Sequence, residues 1–390
     1  MANIRAFSAV RYNPGTDFSS VAGPPYDVIS AELRAELEGR HPANIIHLTL
    51  GPRLPEENDN RYREAGERFR SWLAEGVLVR DDEPSVFIYR FDPPHRPPSA
   101  GIIAALELER LGEGDVLPHE RTMPAPKADR LALMRTTEAN LEPLWFVASR
   151  PLGIVSKAID AVAGIQSDAD VTGMENVRHR LWRLPKELMD VTEEAIRDAK
   201  LVIADGHHRY ETAIAYRDER RAAEGSGPWD FTLALIQDPI DFGPILRPIH
   251  RVVSEYSIER LIEKSRASQF SGTLQDLETR VASEGPGTVG VASRTGSWTI
   301  ATGAVLDTFW LAEMLEGSGA KVSYEHDLDQ LENAIFREEV VFILAPIAIE
   351  KVTEMAISGE RMPPKTTLFW PKPLSGLVMR DLASGAGDLG

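Results

Sequence analysis

The segment LVIADGHHRYETAIAYR, residues 201–217, predicts a short strand, a glycine turn and a helix in direct succession. Its first four residues are apolar, as in a buried strand, and the turn follows at Asp205 and Gly206. The residues with the i, i+3, i+4, i+7 spacing of a helix are Tyr210, Ala213, Ile214 and Arg217. This strand–turn–helix unit is the starting point for interpreting the rest of the chain.

Around this unit, strand and helix patterns alternate without a steady strand–helix–strand order. The β-type runs 85–91 and 101–109 predict a hairpin with a long Pro-rich loop, and 288–292 with 297–301 predict a second one. Helices are predicted for 31–38, 131–139, 186–199, 208–222, 305–315, 327–337 and 346–358, and further strands for 339–344 and 366–370. This order favours an α+β fold, with mixed sheets and flanking helices, over a doubly wound sheet. The predicted domains are 1–150, 151–255, which carries the turn, and 256–390.

The bulk composition limits the classes of function. The chain has 390 residues and a net charge of −17, so we expect neither nucleic acid nor membrane as a partner, because both bind cationic surfaces. It has no cysteine, which excludes disulfides, thiolate metal sites and thiol nucleophiles. The start lacks an apolar signal core, and no apolar run approaches the ~20 residues of a membrane span. A cytoplasmic location is therefore expected.

The turn DGHHR has the chemistry of a phosphate site. The first amides of a helix point outward and the helix dipole is positive there, so a helix start attracts anions. Gly206 lets a ligand approach the backbone, Arg209 offers a planar fork for phosphate oxygens, and His207 and His208 can donate to phosphate. Asp205, at the strand end, is predicted to hold a magnesium ion or to accept a proton from a hydroxyl group.

Each residue of the turn also has a structural explanation. Asp205 can simply cap the helix. Adjacent histidines point in different directions on a helix, so one of His207 and His208 can be only packed. A metal pair on a helix prefers the i, i+4 spacing, which is absent here. We still predict a functional turn, because a polar motif of five residues between a strand and a helix is more specific than a glycine turn alone.

Two other segments place polar residues beside prolines. GPPYDVIS, residues 23–30, presents Tyr26 and Asp27 on a rigid turn, and a helix N-cap at Asp27 or Ser30 is the alternative. LRPIHRV, residues 246–252, places His250 and Arg251 in a strand-like apolar run. Because burying unpaired charge is costly, these two side chains either face solvent or meet an anion.

Two longer Pro-rich segments combine charges with hydroxyl groups. PHERTMPAPKADR, residues 118–130, predicts an ordered active-site loop with Glu120 as general base and Lys127 and Arg130 as phosphate contacts; a solvated surface is the alternative. MPPKTTLFWPKP, residues 362–373, places Lys365 and Lys372 at the ends of an apolar strand, where lysines also protect exposed sheet edges.

The order of these motifs resembles a known family. The bacterial and archaeal family called domain of unknown function 1015 has the same succession, found here as PPYDV (24–28), HERT (119–122), ADGHHRYETA (204–213), IHRV (249–252) and PPKTT (363–367). The resemblance extends from the first of these motifs to Lys372. It implies that the five clusters belong to one site. The residues then predicted to bind substrate are Tyr26, Asp27, His119 and Thr122.

A second resemblance concerns the turn alone. A strand, DGHHR and a helix are similar to the nucleotide-binding turn of the ParB/sulfiredoxin-like superfamily, which includes kinases of free serine. In that setting the turn binds phosphate and its aspartate lies beside the transferred group. Sulfiredoxin chemistry needs a cysteine in the turn, and ParB-type DNA partitioning fits poorly with a charge of −17. The kinases of this superfamily therefore remain as the resemblance. In the serine kinases the general base is a glutamate from an earlier segment of the chain. No segment of this sequence aligns with it, and Glu120 is taken as its substitute.

The predicted function is phosphoryl transfer to a small hydroxyl compound, with free L-serine as the best guess. ATP or ADP is the expected donor and Mg²⁺ the expected metal ion, with Asp205, His208 and Glu120 as catalytic residues. The predicted phosphate or nucleotide contacts are Gly206, His207, Arg209, Lys127, Arg130, His250, Arg251 and Lys365. A metal-assisted hydrolase using His207, His208 and His119 and a non-catalytic nucleotide-binding module are the alternatives. A homodimer is left open.

Overall fold

The chain folds into two compact units that are both discontinuous in sequence. A computed structural model describes residues 1–51, 60–120, 124–265, 267–304 and 306–383. The first unit consists of Met1–Pro118, Thr122–Pro244 and Pro371–Gly390, and the second of His119–Arg121 and Ile245–Trp370. The ranges 1–150, 151–255 and 256–390 stay predictions. Neither unit coincides with one of these ranges, because each unit combines segments that are distant in sequence.

The strands are short, with one long pair in the first unit. They are β1 (Ile4–Arg5), β2 (Ala9–Tyr12), β3 (Leu78–Arg80), β4 (Phe87–Asp92), β5 (Ser99–Glu107), β6 (Val116–Leu117), β7 (Ala139–Asn140), β8 (Leu144–Ala148), β9 (Ala169–Thr172), β10 (Arg178–Arg183), β11 (Leu201–Asp205), β12 (Phe231–Gln237), β13 (Ile245–Arg247), β14 (His250–Ser254), β15 (Ala267–Phe270), β16 (Thr288–Ser293), β17 (Gly296–Ala301), β18 (Lys321–Glu325), β19 (Val340–Ile343), β20 (Leu368–Trp370) and β21 (Met379–Asp381).

The helices vary from one turn to five. They are α1 (Phe18–Val21), α2 (Ala31–Arg40), α3 (Ile46–Thr49), α4 (Asn60–Ala74), α5 (Pro124–Thr137), α6 (Ile154–Ala161), α7 (Met189–Arg197), α8 (His207–Glu224), α9 (Glu259–Lys264), α10 (Leu274–Glu284), α11 (Asp307–Leu315), α12 (Leu328–Phe336) and α13 (Ile349–Ser358). None of the helices in the described ranges combines the length and apolarity that a membrane span requires.

A large mixed sheet organises the first unit. Its order is β6-β11-β8-β12-β5-β4-β10-β9, with β1 paired to β5. Most pairs are antiparallel, whereas β6 with β11 and β8 with β12 are parallel. The strands are apolar because the sheet is buried, and Tyr210 and Ala213 of α8 join Ile203 and Ile236 in its core. A smaller sheet, β3-β2-β21-β7, belongs to the same unit.

The second unit contains an antiparallel sheet with a core on each face. The sheet order is β15-β17-β16-β19-β14-β18, and β13 pairs with β20 separately. Leu277 of α10 and Leu331 of α12 lie in one apolar cluster with Val341 of β19. Leu311 of α11 lies in the other cluster with Phe342. Successive residues of β19 therefore point to opposite faces, as strand geometry requires.

The structure confirms the α+β prediction and both predicted hairpins, β4 with β5 and β16 with β17. The predicted loop of residues 118–130 is wrong in its second half, because α5 begins at Pro124. Proline is tolerated in the first helical turn, where amides have no intrahelical partner. The helix predicted from Pro346 begins three residues later, at Ile349, after an extended Ala348 with no capping side chain.

Candidate functional site

The turn at the end of β11 requires a glycine. Gly206 has φ +96° and ψ 29°, in the left-handed region that L side chains rarely adopt, and it is the N-cap residue of α8. A Cβ at this position would lie 2.7 Å from Leu144 Cδ2. Gly206 therefore both turns the chain and permits close packing, and it places Asp205 and Arg209 on either side of the helix start.

Asp205 is bound by two cations of the first unit. Its Oδ1 accepts from Lys372 Nζ, and its Oδ2 accepts from Arg209 Nη2 at 2.8 Å. All three side chains are only 13–14% exposed. Burial would raise the pKa of Asp205, but Lys372 and Arg209 outweigh it and hold that pKa well below the usual range. Asp205 is therefore a carboxylate at neutral pH.

Arg209 is shared between Asp205 and Glu142. Its Nη1 donates to Glu142 Oε2 at 3.2 Å and to the Pro143 carbonyl at 3.1 Å. Burial opposes the charge of this guanidinium, yet Glu142 and Asp205 raise its pKa. Glu142 is 7% exposed and also accepts from the Ser375 hydroxyl at 2.8 Å and the Tyr26 amide at 3.2 Å. The network Lys372–Asp205–Arg209–Glu142 thus alternates in sign and connects three distant segments.

Tyr26 and Asp27 lie in a short 3-10 helix, Tyr26–Val28, next to this network. The Arg130 guanidinium stacks over the Tyr26 ring at 4.0 Å and donates to the Thr49 carbonyl at 2.8 Å. Burial raises the pKa of Tyr26 to about 12 although Arg209 and Arg130 oppose the shift. Burial lowers the pKa of Lys372, but Asp205 and then the exposed Asp27 outweigh burial and raise that pKa.

A cavity of about 70 Å³ adjoins Arg209 and Arg130. At about 10–15 Å³ per water it has room for several water-sized groups. Its polar lining includes Glu142, Thr49 and Thr212, and its apolar lining includes Leu133, Met134, Leu141 and Leu144. The Thr49 hydroxyl is buried and has no hydrogen-bond partner. The cavity therefore offers two guanidinium groups, one carboxylate and a hydroxyl group to a small polar molecule.

The remaining predicted residues of the first unit lie on α5 and α8. Lys127 is on α5, where its Nζ donates to Glu211 Oε2 at 2.6 Å, so it belongs to a helix–helix ion pair. His207 is 8% exposed, and its charge contributes to the low pKa of Asp205. His208 is half-buried. The two histidines thus differ in exposure, as their positions on a helix require.

Glu120 and Lys365 lie together in the second unit. The Glu120 carboxylate accepts from the amides of Lys365, Thr366 and Thr367 at 3.2–3.3 Å, and from the Thr367 hydroxyl at 3.1 Å. His119 is fully buried, and its Nε2 lies 2.8 Å from the same hydroxyl. Glu120 is therefore bound to backbone amides here.

His250 and Arg251 are both buried in β14. His250 Nδ1 accepts from the Leu344 amide at 3.1 Å, and Nε2 lies 3.3 Å from Glu278 Oε1, so this ring supports the strand. Arg251 is 5% exposed and donates to the Lys365 carbonyl at 2.9 Å. Burial lowers its pKa to about 10, although Tyr324 and Glu120 act in the opposite direction. His250 therefore lies beside a carboxylate, whereas Arg251 is buried among carbonyl groups, and the role of both residues as phosphate contacts stays a prediction.

The family model described as protein of unknown function (DUF1015) matches residues 4–312. The chain belongs to the DUF1015 family. This confirms the family predicted from the order of the motifs. No curated protein matches the chain.

Solved structures similar to this DUF1015 member have low sequence identity. A conserved hypothetical protein from Pyrococcus furiosus is 14% identical with a TM-score of 0.36, covering 68% of this chain and 90% of its own. A free serine kinase variant in complex with ADP is 14% identical with a TM-score of 0.40, and the match covers 69% of this chain and 88% of the kinase chain. SbnI with C-terminal truncation from Staphylococcus aureus is 12% identical with a TM-score of 0.39, and the match covers 70% of this chain and 85% of the SbnI chain. ADP is named for the kinase.

Within this DUF1015 chain, the predicted residues assemble in part. Tyr26, Asp27, Arg130 and the turn come together in the first unit, while His119, Glu120, Arg251 and Lys365 come together in the second. A single site made from all five clusters stays a prediction. Thr122 lies outside the described residues.

Two residues of the network were not predicted from the sequence. Glu142 and Lys372 were not predicted as site residues, although each is a charged residue next to proline in an apolar run, LEPLW and FWPKPL. The same criterion selected Lys365, so it was available for both. Among the described residues, no group of three His, Asp or Glu side chains is arranged to hold a metal ion.

Proposed function

We propose that the turn of residues 205–209 is the phosphate-handling part of a phosphotransferase that acts on a small hydroxyl compound. ATP or ADP is the proposed donor and free L-serine the first acceptor to test. The observation that carries the proposal is the alternating network of Lys372, Asp205, Arg209 and Glu142 at the start of α8. Buried ion pairs contribute little to stability compared with apolar packing. Charged groups with strongly shifted pKa values beside a cavity therefore favour a functional role.

The network supplies what phosphoryl transfer needs. Such transfer requires cations around the phosphates and positioned acid and base groups, and little covalent chemistry from the protein. Lys372 and Arg209 are the cations, and in this proposal a phosphate group takes over some of their contacts with Asp205 and Glu142. His208 is the proposed donor to the transferred group.

Mg²⁺ is part of the proposal, with Asp205 as its protein ligand. Mg²⁺ commonly binds through one or two carboxylates together with substrate phosphates and water, so a single carboxylate fits the ion. Both oxygens of Asp205 contact cations, so the ion would replace Lys372 or Arg209 at one of them. The ion would neutralise phosphate charge.

The cavity beside Arg209 is the proposed acceptor pocket. Its two guanidinium groups suit a carboxylate, Glu142 suits an ammonium group, and Thr49 suits a hydroxyl group. These are the groups of a small amino acid, which supports serine as the first acceptor. Glu120, predicted as the base, belongs to the second unit, and its catalytic role stays a proposal.

Incubation of the full chain with ATP or ADP, Mg²⁺ and a panel of hydroxy compounds tests the function. We expect a phosphorylated product, detected by ³¹P NMR, that depends on serine or a related acceptor and is lost in Asp205→Asn. Asp218→Asn on the same helix is the control, since its carboxylate pairs with Arg217 and Arg110 away from the turn. If no acceptor is phosphorylated, the phosphotransferase proposal is wrong. Thermal stabilisation by nucleotide without product would indicate the non-catalytic module instead.

A further inference from the structure

The loop of residues 365–367 has the geometry of an anion-binding nest. Lys365 has φ +60°, in the left-handed region, and the amides of Lys365, Thr366 and Thr367 all point at the Glu120 carboxylate. Successive amides converging in this way form a concave site for anions such as phosphate. In this structure the anion in the nest is a side chain of the same unit.

Arg251 holds the nest in this orientation. Its Nη2 donates to the Lys365 carbonyl at 2.9 Å. In a planar trans peptide the carbonyl and the following amide point in opposite directions, so this contact directs the Thr366 amide toward Glu120. The Thr367 hydroxyl adds a fourth hydrogen bond to Glu120 at 3.1 Å, and His119 Nε2 lies 2.8 Å from that hydroxyl.

The positive charge around the nest exceeds what Glu120 neutralises. Arg251 is 5% exposed and donates to the carbonyl groups of Ile249, His250 and Lys365, and no carboxylate of the described ranges forms an ion pair with it. Arg361 Nη1 lies 3.4 Å from the Glu120 carbonyl, and the Lys365 side chain is exposed beside the nest. Buried cations need an anion or a hydrogen-bonding partner, and this gathering occurs in a chain of net charge −17. The surroundings therefore suit an anion with more charge than one carboxylate.

We propose that residues 365–367 form a phosphate-binding site and that Glu120 occupies it as an internal substitute for phosphate. A phosphate group would accept from the three amides and the Thr367 hydroxyl, with Lys365 and Arg251 as its cations. Glu120 would leave the nest when phosphate binds. This inference goes beyond the proposed phosphotransfer and does not depend on it. It assigns Glu120 the role of competing with phosphate for the nest, separately from its proposed role as a base.

Titration of the ¹⁵N-labelled full chain with phosphate, pyrophosphate, ADP and ATP tests the site without turnover. We expect saturable shifts of the Thr366 and Thr367 amide resonances in TROSY spectra. Pyrophosphate and nucleotides binding far more tightly than phosphate would indicate a nucleotide ligand, whereas similar affinities would indicate a phosphomonoester or free phosphate. If these amides do not shift at saturating concentrations of any of the probes, the site does not exist.

Variants separate a phosphate site from a loop that Glu120 merely holds in place. In Glu120→Gln the competing charge is gone, so we expect pyrophosphate to bind about tenfold more tightly by calorimetry. Lys365→Met, at an exposed position, should bind it several-fold more weakly. The matched control is Glu325→Gln, because Glu325 also accepts from two successive amides of the second unit, those of His326 and Asp327. It should leave the affinity unchanged.

Two outcomes of the variant series would overturn the proposal. One is a folded Glu120→Gln with unchanged or weaker pyrophosphate binding, which would make Glu120 a structural ligand of the loop. The other is equal binding by wild type and Lys365→Met. If Glu120→Gln does not fold, the wild-type amide shifts and Lys365→Met decide the question. Phosphate binding without any phosphorylated product would leave this inference intact and reject the proposed function.

Discussion

Asp205 carries its charge at a position where burial alone would favour the neutral form. Lys372 and Arg209 reverse that preference, and each contacts a different oxygen of the carboxylate. An ion pair of this kind adds little net stability, but removing one partner leaves the other buried and uncompensated. The individual residues of the network are therefore tightly coupled.

Replacing Lys372 by Met is expected to lower the free energy of unfolding by about 3 kcal/mol, because the buried Asp205 carboxylate then keeps Arg209 but loses its second cation. Urea denaturation measures the change. The control is Lys186→Met. The ion pair of Lys186 with Glu83 is largely exposed, so this variant should unfold like the wild type. A second replacement, Asp205→Asn, should recover part of the loss. Simple additivity of the two changes would mean that the pair is not coupled.

The pH dependence of stability is expected to reveal the same carboxylate. Its pKa is lowered in the folded state, so its stabilising effect is complete above the ordinary Asp pKa of about 3.9 and is lost as pH falls toward the folded value. Asp205→Asn should therefore show a shallower loss of stability than wild type below about pH 4. Urea denaturation at a series of acidic pH values measures this, and parallel curves would contradict it.

Gly206→Ala is expected to destabilise the turn by about 2 kcal/mol or more. The new Cβ combines a positive φ with a 2.7 Å approach to Leu144. Gly112→Ala is the matched control, since Gly112 has φ +90° but no atom within 4 Å of the added Cβ. Thermal denaturation of both variants separates backbone strain from the clash, and equal losses would show that the clash contributes nothing.

At the scale of elements, Glu142 connects three segments of the first unit. Its carboxylate contacts Arg209 in α8, the Ser375 hydroxyl in the segment before β21, and the amide of Tyr26 in the short 3-10 helix. None of these segments is adjacent in sequence. One buried side chain that precedes β8 thus contacts all three segments, and backbone hydrogen bonds between Gly23 and Ser375 join two of them as well.

Glu142→Gln is expected to weaken all three connections at once, because the neutral side chain loses the charge-assisted contact with Arg209. Hydrogen exchange should become at least several-fold faster in residues 23–28 and 372–376. Glu219→Gln breaks an exposed ion pair between α8 and Arg135 of α5 and should leave exchange in both ranges unchanged. Faster exchange in only one of the two ranges would show that Glu142 does not join them.

At the scale of the whole molecule, the net charge of −17 opposes the compact state. The melting temperature at pH 7 is expected to rise as NaCl increases from about 10 mM to 150 mM, since the Debye length falls from about 30 Å to about 8 Å. Near the sequence pI of about 5.1 the same salt series should have a much smaller effect. Differential scanning calorimetry measures both series, and an equal rise at the two pH values would indicate a non-electrostatic salt effect.

The sequence determined the local structure of this protein closely. Apolar periodicity predicted the strand at 201–204, the helix after the turn and both hairpins, because these patterns depend on neighbours within a few residues. The predicted helix starts near Pro124 and Pro346 were wrong, and no side chain caps the helix that begins at Ile349. The motifs also identified the family and most residues of the two charged clusters.

Tertiary structure alone decided the partners of those residues. Lys372 contacts Asp205, Glu142 holds Arg209, and Glu120 lies on the amides of residues 365–367. These contacts join segments up to 247 residues apart. Sequence spacing contains no information on such contacts, because they depend on sheet order and on which chain segments return to each unit. The sequence thus marked where charge is concentrated, and the fold decided which opposite charge neutralises it.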